Sequence, residues 1–440
     1  MIRAGIFVIF WGAGAVAADL PPPITDDDYR PVVAAEAKLG QLLFYDPILS
    51  GGRNIACSTC HHPRFGTSDG VSLGLGDGGI GLGPARTADP DNMPEQRIPR
   101  NAPALFNLGA LEFKSMFADG RIEEDPTRPS GLRTPLDESM VVGFHSVLAA
   151  QAMFPVLSPD EMAGHYAESD VSIAVREGML TVPGGAWDIL SKRVAAIAKY
   201  RESFAAVYPE ISAGRPIEFT DIANAMAAFI AFEWRADNAP FDAYLRDGVP
   251  LPPEAEVGMA LFYGPAGCAT CHSGKFQTDH GFHAMADPQI GPGKAERFEN
   301  HSRDTGRMRV TNQIEDAYAF RTPSLRNVTV TGPWGHAGAY RDLTAYLAHH
   351  IQPGRGMENY DLGQALLPVF QGLKDDLAIV KNPVDMAAIA MAAANAPTVD
   401  LTPEEIAQII AFLESLRDQG AIEGRLGVPD AVPSGLPVDR

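Results

Sequence analysis

Cysteine is scarce in this 440-residue chain: there are four, and all fall in two copies of one five-residue stretch, Cys57-Ser58-Thr59-Cys60-His61 and Cys268-Ala269-Thr270-Cys271-His272. None is left over to staple the fold as a disulfide. Positive charge is also in deficit, with 35 Lys and Arg against 55 Asp and Glu and a formal net charge of −20. Such a chain repels phosphate, which excludes nucleic acid as a partner, and steers a basic soluble protein toward itself. No long run of alternating β-branched residues occurs, so sheet cannot dominate and the class is all-α with long loops. Apolar runs stay shorter than the roughly 20 residues that a spanning helix needs, which argues against stable membrane insertion. The 45% of hydrophobic residues, over a length worth two or three domains at about 150 residues each, are enough for sizeable cores.

Two cysteines separated by two residues on a helical turn can reach the two vinyl groups of one porphyrin, and the histidine after them can turn its imidazole onto the iron. A zinc ribbon would place its second pair about 15–20 residues on, whereas these copies lie in different halves of the chain. A thioredoxin-type pair would leave both histidines unexplained. Each copy therefore reads as a covalent haem c site, with Cys57, Cys60 and His61 in the first and Cys268, Cys271 and His272 in the second.

Arg3, an apolar centre from Ile6 to Trp11 and the small-x-small Ala15-Val16-Ala17 make residues 1–18 a cleaved export signal, which places the protein in the periplasm. A polar leader with Asp26, Asp27 and Asp28 follows. From Ala34 to Tyr45 apolar residues fall at helical spacing until Asp46-Pro47. A near copy recurs from Glu256 to Tyr263, and Pro103-Ala104-Leu105-Phe106-Asn107 is answered by Pro323-Ser324-Leu325-Arg326-Asn327. Each half closes on an amphipathic helix: one carries Ile222, Met226, Phe229 and Ile230, the other Ile406, Ile409, Ile410, Leu413 and Leu416 behind a capping box at Thr402 and Glu405. These are two copies of one helical unit, residues 19–248 and 249–440, joined between Pro240 and Pro253.

Further motifs stand between these elements: Arg100-Asn101-Ala102-Pro103, Asp119-Gly120-Arg121, Gln151 through Glu161-Met162, Asp304-Thr305-Gly306-Arg307, and Phe320 through Asn327 running into Pro333-Trp334-Gly335-His336-Ala337-Gly338. Their order and spacing, from about Glu36 to about Leu416, resemble the bacterial di-haem cytochrome c peroxidase and MauG superfamily. The resemblance implies two cytochrome c-like domains, the N-terminal haem meeting peroxide and the C-terminal haem relaying electrons. It also implies an acid/base at Glu161, with Gln151 positioning the oxidant and Pro155 beside them. One calcium ion is implied between the haems, on Asn101 and the backbone carbonyls of Thr331 and Pro333, oxygen donors that suit a hard cation.

A haem that reacts with peroxide needs an open face, and one that only passes electrons has both faces filled. The resemblance implies that members resting in a closed form take a distal histidine from the loop after the first motif, but here that loop, from Pro63 to Pro99 and glycine-rich at Gly74-Leu75-Gly76-Asp77-Gly78-Gly79, holds no histidine. His62 is too close to His61 to reach the opposite face, and His145 and His165 read as surface residues, so the first haem is expected open. At the second, family spacing from His336 reaches His350, where the peroxidases have methionine and MauG has tyrosine. His349 and then Met357 are the alternatives, and only one of the two histidines can share the inward face of Leu343, Tyr346 and Leu347. A histidine pair gives a lower potential than His/Met ligation. Glu161 has a second reading too, as an acidic residue in the first turn of a helix opened by Ser158-Pro159.

Two departures from the family stand out. Ala118, after Phe117, occupies the position of its inter-haem tryptophan, with Trp334 the substitute in the second half, and the stretch from Arg121 to Gln151 is longer than in compact peroxidases. Three functions follow in order of preference: a periplasmic peroxidase reducing hydrogen peroxide with electrons from a small cytochrome c or cupredoxin, a MauG-like oxidase of aromatic side chains on a partner protein, and a plain di-haem electron carrier. A homodimer is compatible with any of them.

Overall fold

The computed structural model describes residues 19–294, 301–368 and 375–440; the expected export signal lies outside the described residues. Two pairs of crossed helices organise the fold. In the first half Ala34–Phe44 lies across Phe219–Glu233, and Leu39, Leu43 and Phe44 share a buried core with Ile222, Met226 and Phe229. The crossing is backbone to backbone: a Cβ on Gly40 would sit 1.8 Å from the Ala225 carbonyl oxygen. In the second half Pro253–Phe262 lies across Pro403–Glu414, with Gly258 against the Gln408 carbonyl at the same 1.8 Å and Phe262, Ile409, Phe412 and Leu413 in the core. The sequence repeat is thus a repeated packing contact. Thr402 caps the last of these helices as expected, its Oγ1 accepting from the Glu405 amide at 3.2 Å while Glu405 Oε2 accepts from the Thr402 amide at 2.8 Å.

Between the helices the chain is mostly loop. Apart from isolated bridges, strand pairing among the described residues is confined to antiparallel ladders of two or three residues. One of them, Ser115–Met116 with Ile122–Glu124 and Leu132–Arg133, accounts for the start of the long stretch after Arg121. Its Ile122 and Leu132 are buried in the first core, so this part of the insertion is packing.

Two boundaries differ from the sequence reading. The join contains a helix, Pro240–Asp247, whose Phe241 meets Phe412 edge-on at 5.2 Å inside the second core; the second unit therefore starts before residue 249. The stretch beyond Asp418, assigned to the second unit, returns to the first, where Ala421 and Val432 are buried. Glu233 there accepts from the amides of Leu426 and Gly427 at 2.6 and 2.8 Å, and Thr59, inside the first haem motif, donates its hydroxyl to Asp439 at 2.6 Å. The tail's one described helix, Gln419–Glu423, is too short to show a periodicity that would have announced this return.

The halves are pinned by the motifs that lie between them. Arg100 grips Asp304 with Nε and Nη2 at 2.7 and 2.8 Å and meets Asp119 at 2.8 Å, while Arg121 lies 3.0 Å from Asp119 and Arg307 donates to the Gly120 carbonyl at 2.9 Å. Burial opposes the charge on both carboxylates, yet the guanidinium of Arg100 outweighs it, holding Asp119 down at about 2 and Asp304 well below the usual carboxylate range.

Candidate functional site

Both Cys-x-x-Cys-His motifs open into one continuous cavity of about 710 Å³. At the first, Cys57–Cys60 forms a single helical turn, and His61 follows with its Nδ1 3.0 Å from the Thr67 carbonyl oxygen. A carbonyl can only accept, so Nδ1 carries the proton and Nε2 keeps its lone pair for a metal. The second motif repeats this, with His272 Nδ1 3.2 Å from the Gln277 carbonyl. Burial favours the neutral imidazole in both, lowering His61 and taking His272 down to about 4. All four cysteines are unpaired, and burial pushes the Cys57 and Cys60 thiols up to about 12. Neutral thiols and neutral imidazoles converging on an apolar cavity fit a covalently tethered porphyrin.

Of the two adjacent histidines, His350 is the one on the cavity. His350 lines the cavity, its ring centroid 6.1 Å from that of His272. Two imidazoles sharing one metal, each about 2 Å from it, bring their ring centres to roughly this separation. His349 faces elsewhere: it is buried, with Nε2 3.1 Å from the Met285 carbonyl, and Met357 is buried in a separate apolar cluster. Helical phase explains the choice, because Leu343, Tyr346, Leu347 and His350 share the cavity-facing side of Leu343–His350.

Gln151, Pro155 and Glu161 all line the cavity with His61. Glu161 stands both at a helix start and on the cavity. Its amide donates to Ser158 Oγ at 3.3 Å, as at a helix start, and its side chain reaches the cavity from the short Pro159–Ala163 turn. The glycine-rich loop is the floor under that turn: Asp77 N donates to the Asp160 carbonyl at 3.2 Å, and the guanidinium of Arg86 ties the loop down through the carbonyls of Leu75, Gly76 and Gly81 at 2.6–2.7 Å. Neither His145, which is exposed, nor His165, which hydrogen-bonds toward Asn92, lines the cavity.

Asn101, Thr331 and Pro333 all line the cavity wall. The Asn101 amide nitrogen donates to the carbonyls of Val71 and Ser72 at 2.9 and 3.3 Å, and its oxygen can act only as an acceptor. Trp334 lines the same wall with its indole N–H on the Val328 carbonyl at 2.9 Å. Beside it His336 stacks on Phe320 with centroids 3.8 Å apart, and neither of its buried ring nitrogens has a hydrogen-bond partner. Lys294 also enters the cavity, 4.0 Å from Glu161. No periodicity marks that lysine in the sequence; its signal is the Gly291-Pro292-Gly293 turn before it.

Residues 34–249 match the family model described as di-haem cytochrome c peroxidase. The chain belongs to this family. Its relatives include the methylamine utilization protein MauG of Methylorubrum extorquens, 29% identical over 341 residues covering 76% of this chain and 73% of that protein. Cytochrome c551 peroxidase of Pseudomonas aeruginosa is 27% identical over 362 residues, covering 81% of each. Among solved structures, a MauG-like protein associated with microbial copper homeostasis shares the fold with a TM-score of 0.56 and 24% identity, over 94% of this chain and 97% of that one. Di-haem cytochrome c peroxidases are oxidoreductases with two haem c groups, and the two tethering motifs fit that number. Among the described residues no helix is long and apolar enough to cross a membrane.

Proposed function

We propose that this member of the family is a periplasmic peroxidase that reduces hydrogen peroxide to water, taking electrons from a small cytochrome c or cupredoxin at the second site. One observation carries the reading: Glu161 and Gln151 line the same cavity as His61, which supports Glu161 as an acid/base within the space that a haem held by His61 would enter. The haems, when bound, supply redox-active iron at both sites. Cys57 and Cys60 would tether the first and Cys268 and Cys271 the second, with His61, His272 and His350 as iron ligands. The carbonyls of Thr67 and Gln277 fix the orientation and tautomer of two of those imidazoles.

Glu161 takes the proton from one peroxide oxygen and returns it to the other as that oxygen leaves as water. Gln151 orients the oxidant by hydrogen bonding, and the Pro155–Leu157 turn holds the wall between them. Asn101 with the carbonyls of Thr331 and Pro333 would hold one calcium ion, bracing the wall between the sites. With Ala118 at the usual tryptophan position, Trp334 is the aromatic residue that offers a route between them.

A second reading, a MauG-like oxidase of aromatic residues on a partner protein, draws support from His350: a nitrogen donor lowers the potential at the second site relative to a thioether. The plain carrier is disfavoured by an acidic residue facing the first site. Ferric EPR of the holoprotein followed by peroxide, with and without a reduced cytochrome, tests all three. A high-spin plus a low-spin signal with donor turnover supports the peroxidase, and long-lived oxidised iron without turnover supports the oxidase. Two low-spin signals unresponsive to peroxide sink both.

A further inference from the structure

Lys294 belongs to the second half of the chain but reaches the cavity beside the acid of the first. Its presentation is built. Ile290 is fully buried against Leu73 and Ala337, and the Gly291 amide donates to the Asp376 carbonyl at 2.6 Å. Gly291 and Gly293 both have positive φ, 80° and 72°, and a Cβ would lie 2.1 Å from Leu73 Cδ1 at the one and 2.2 Å from the Ser302 carbonyl at the other. Only glycine fits both turns. This Gly-Pro-Gly segment is therefore a rigid bracket whose next residue is the lysine.

The charges around Lys294 are Glu161, Arg121, Arg100 and Asp119. Arg100 is occupied by Asp304 and Asp119, and Arg121 by Asp119. Glu161, at 4.0 Å, is too far for a direct hydrogen bond, so ammonium and carboxylate form a loose ion pair that a ligand atom seated to one side can bridge, accepting from Nζ. Burial, then repulsion by Arg121, pulls the lysine pKa below its ordinary value, as expected for a cation waiting for an anion.

We propose that Lys294 is the anion-binding residue of the first pocket: its ammonium, presented across the interface between the halves, holds a small anion, hydroperoxide among them, opposite Glu161. The charge logic is simple. When Glu161 takes a proton from hydrogen peroxide, an O–H bond breaks, one forms on the carboxylate, and the electron pair stays on the peroxide oxygen. The carboxylate is then neutral, and the lysine charge that it had balanced is free to hold the new anion. This rests on the peroxidase reading above and on the open first face expected from the sequence.

Azide, an anion, and imidazole, a neutral ligand, titrated optically against the ferric holoprotein separate the possibilities. Lys294→Met weakens azide on the order of 10- to 100-fold and leaves imidazole affinity unchanged, and Lys294→Arg restores most of the loss. Lys294→Gln serves as a second neutral variant should the methionine form fold poorly. Equal weakening of both ligands, or of neither, overturns the assignment while leaving the open face intact. A wild-type protein that takes up neither ligand overturns the open-face reading and the lysine assignment with it.

Discussion

Gly76 lies flush against the backbone of Glu161: a Cβ there would stand 2.8 Å from Glu161 Cα and 2.0 Å from the preceding carbonyl oxygen. A loop chosen by sequence for the histidine it lacks is therefore also the support that aims the acid. Gly76→Ala is expected to move the Glu161 turn, lowering the rate of reaction with peroxide about 100-fold at unchanged haem content. Stopped-flow mixing of the ferric protein with peroxide measures it, and an unchanged rate would mean that the floor does not set the acid's position.

Glu161→Gln keeps the shape and removes the proton carrier. Its expected loss in the peroxide step is about 10²- to 10⁴-fold, with azide binding to the first haem retained. A variant as fast as the parent would remove Glu161 from the chemistry.

The two adjacent histidines make opposite forecasts. Replacing His350 by glycine abolishes the low-spin signal of the second haem, and His350→Met raises its potential. Replacing His349 by alanine leaves the signal in place and costs stability, about 0.5–1.5 kcal/mol for the lost contact with the Met285 carbonyl. EPR and potentiometry on the three variants tell them apart.

Acid sensitivity centres on Arg100. Asp119 and Asp304 have folded pKa values below their unfolded ones, so the stability they contribute is full above about pH 4 and drains away as pH falls toward 2. Arg100→Leu breaks a buried ion network, at about 3–5 kcal/mol near neutral pH, and leaves Asp304 buried without its partner. Denaturant unfolding across pH 2–7 should show the parent losing stability in that acid window and the variant losing less.

Much of this was legible because the chemistry sits in short, punctuated motifs. The cysteine pairs and the histidines after them follow from spacing alone, as does the rule that only one of His349 and His350 shares the inward helix face; the preference for His350 comes from the family resemblance. Gly40 and Gly258 showed as a repeat, though not as the closest approach of each helix pair. Lys294 was hidden because its meaning depends on a contact with Glu161 more than 100 residues away. The return of the stretch beyond Asp418 was hidden for the same reason: its contacts are long-range and its local pattern is weak.

The first unit is completed from outside itself. Ala421 and Val432 pack in its core, Asp439 meets the first Cys-x-x-Cys-His motif, and Lys294 brings an ammonium to Glu161. A recombinant fragment cut at the join would have gaps among its apolar side chains and an acid without the lysine that faces it. The two units look like modules in a sequence repeat, but they are interdependent in the fold, and neither is a ready-made part for transplantation.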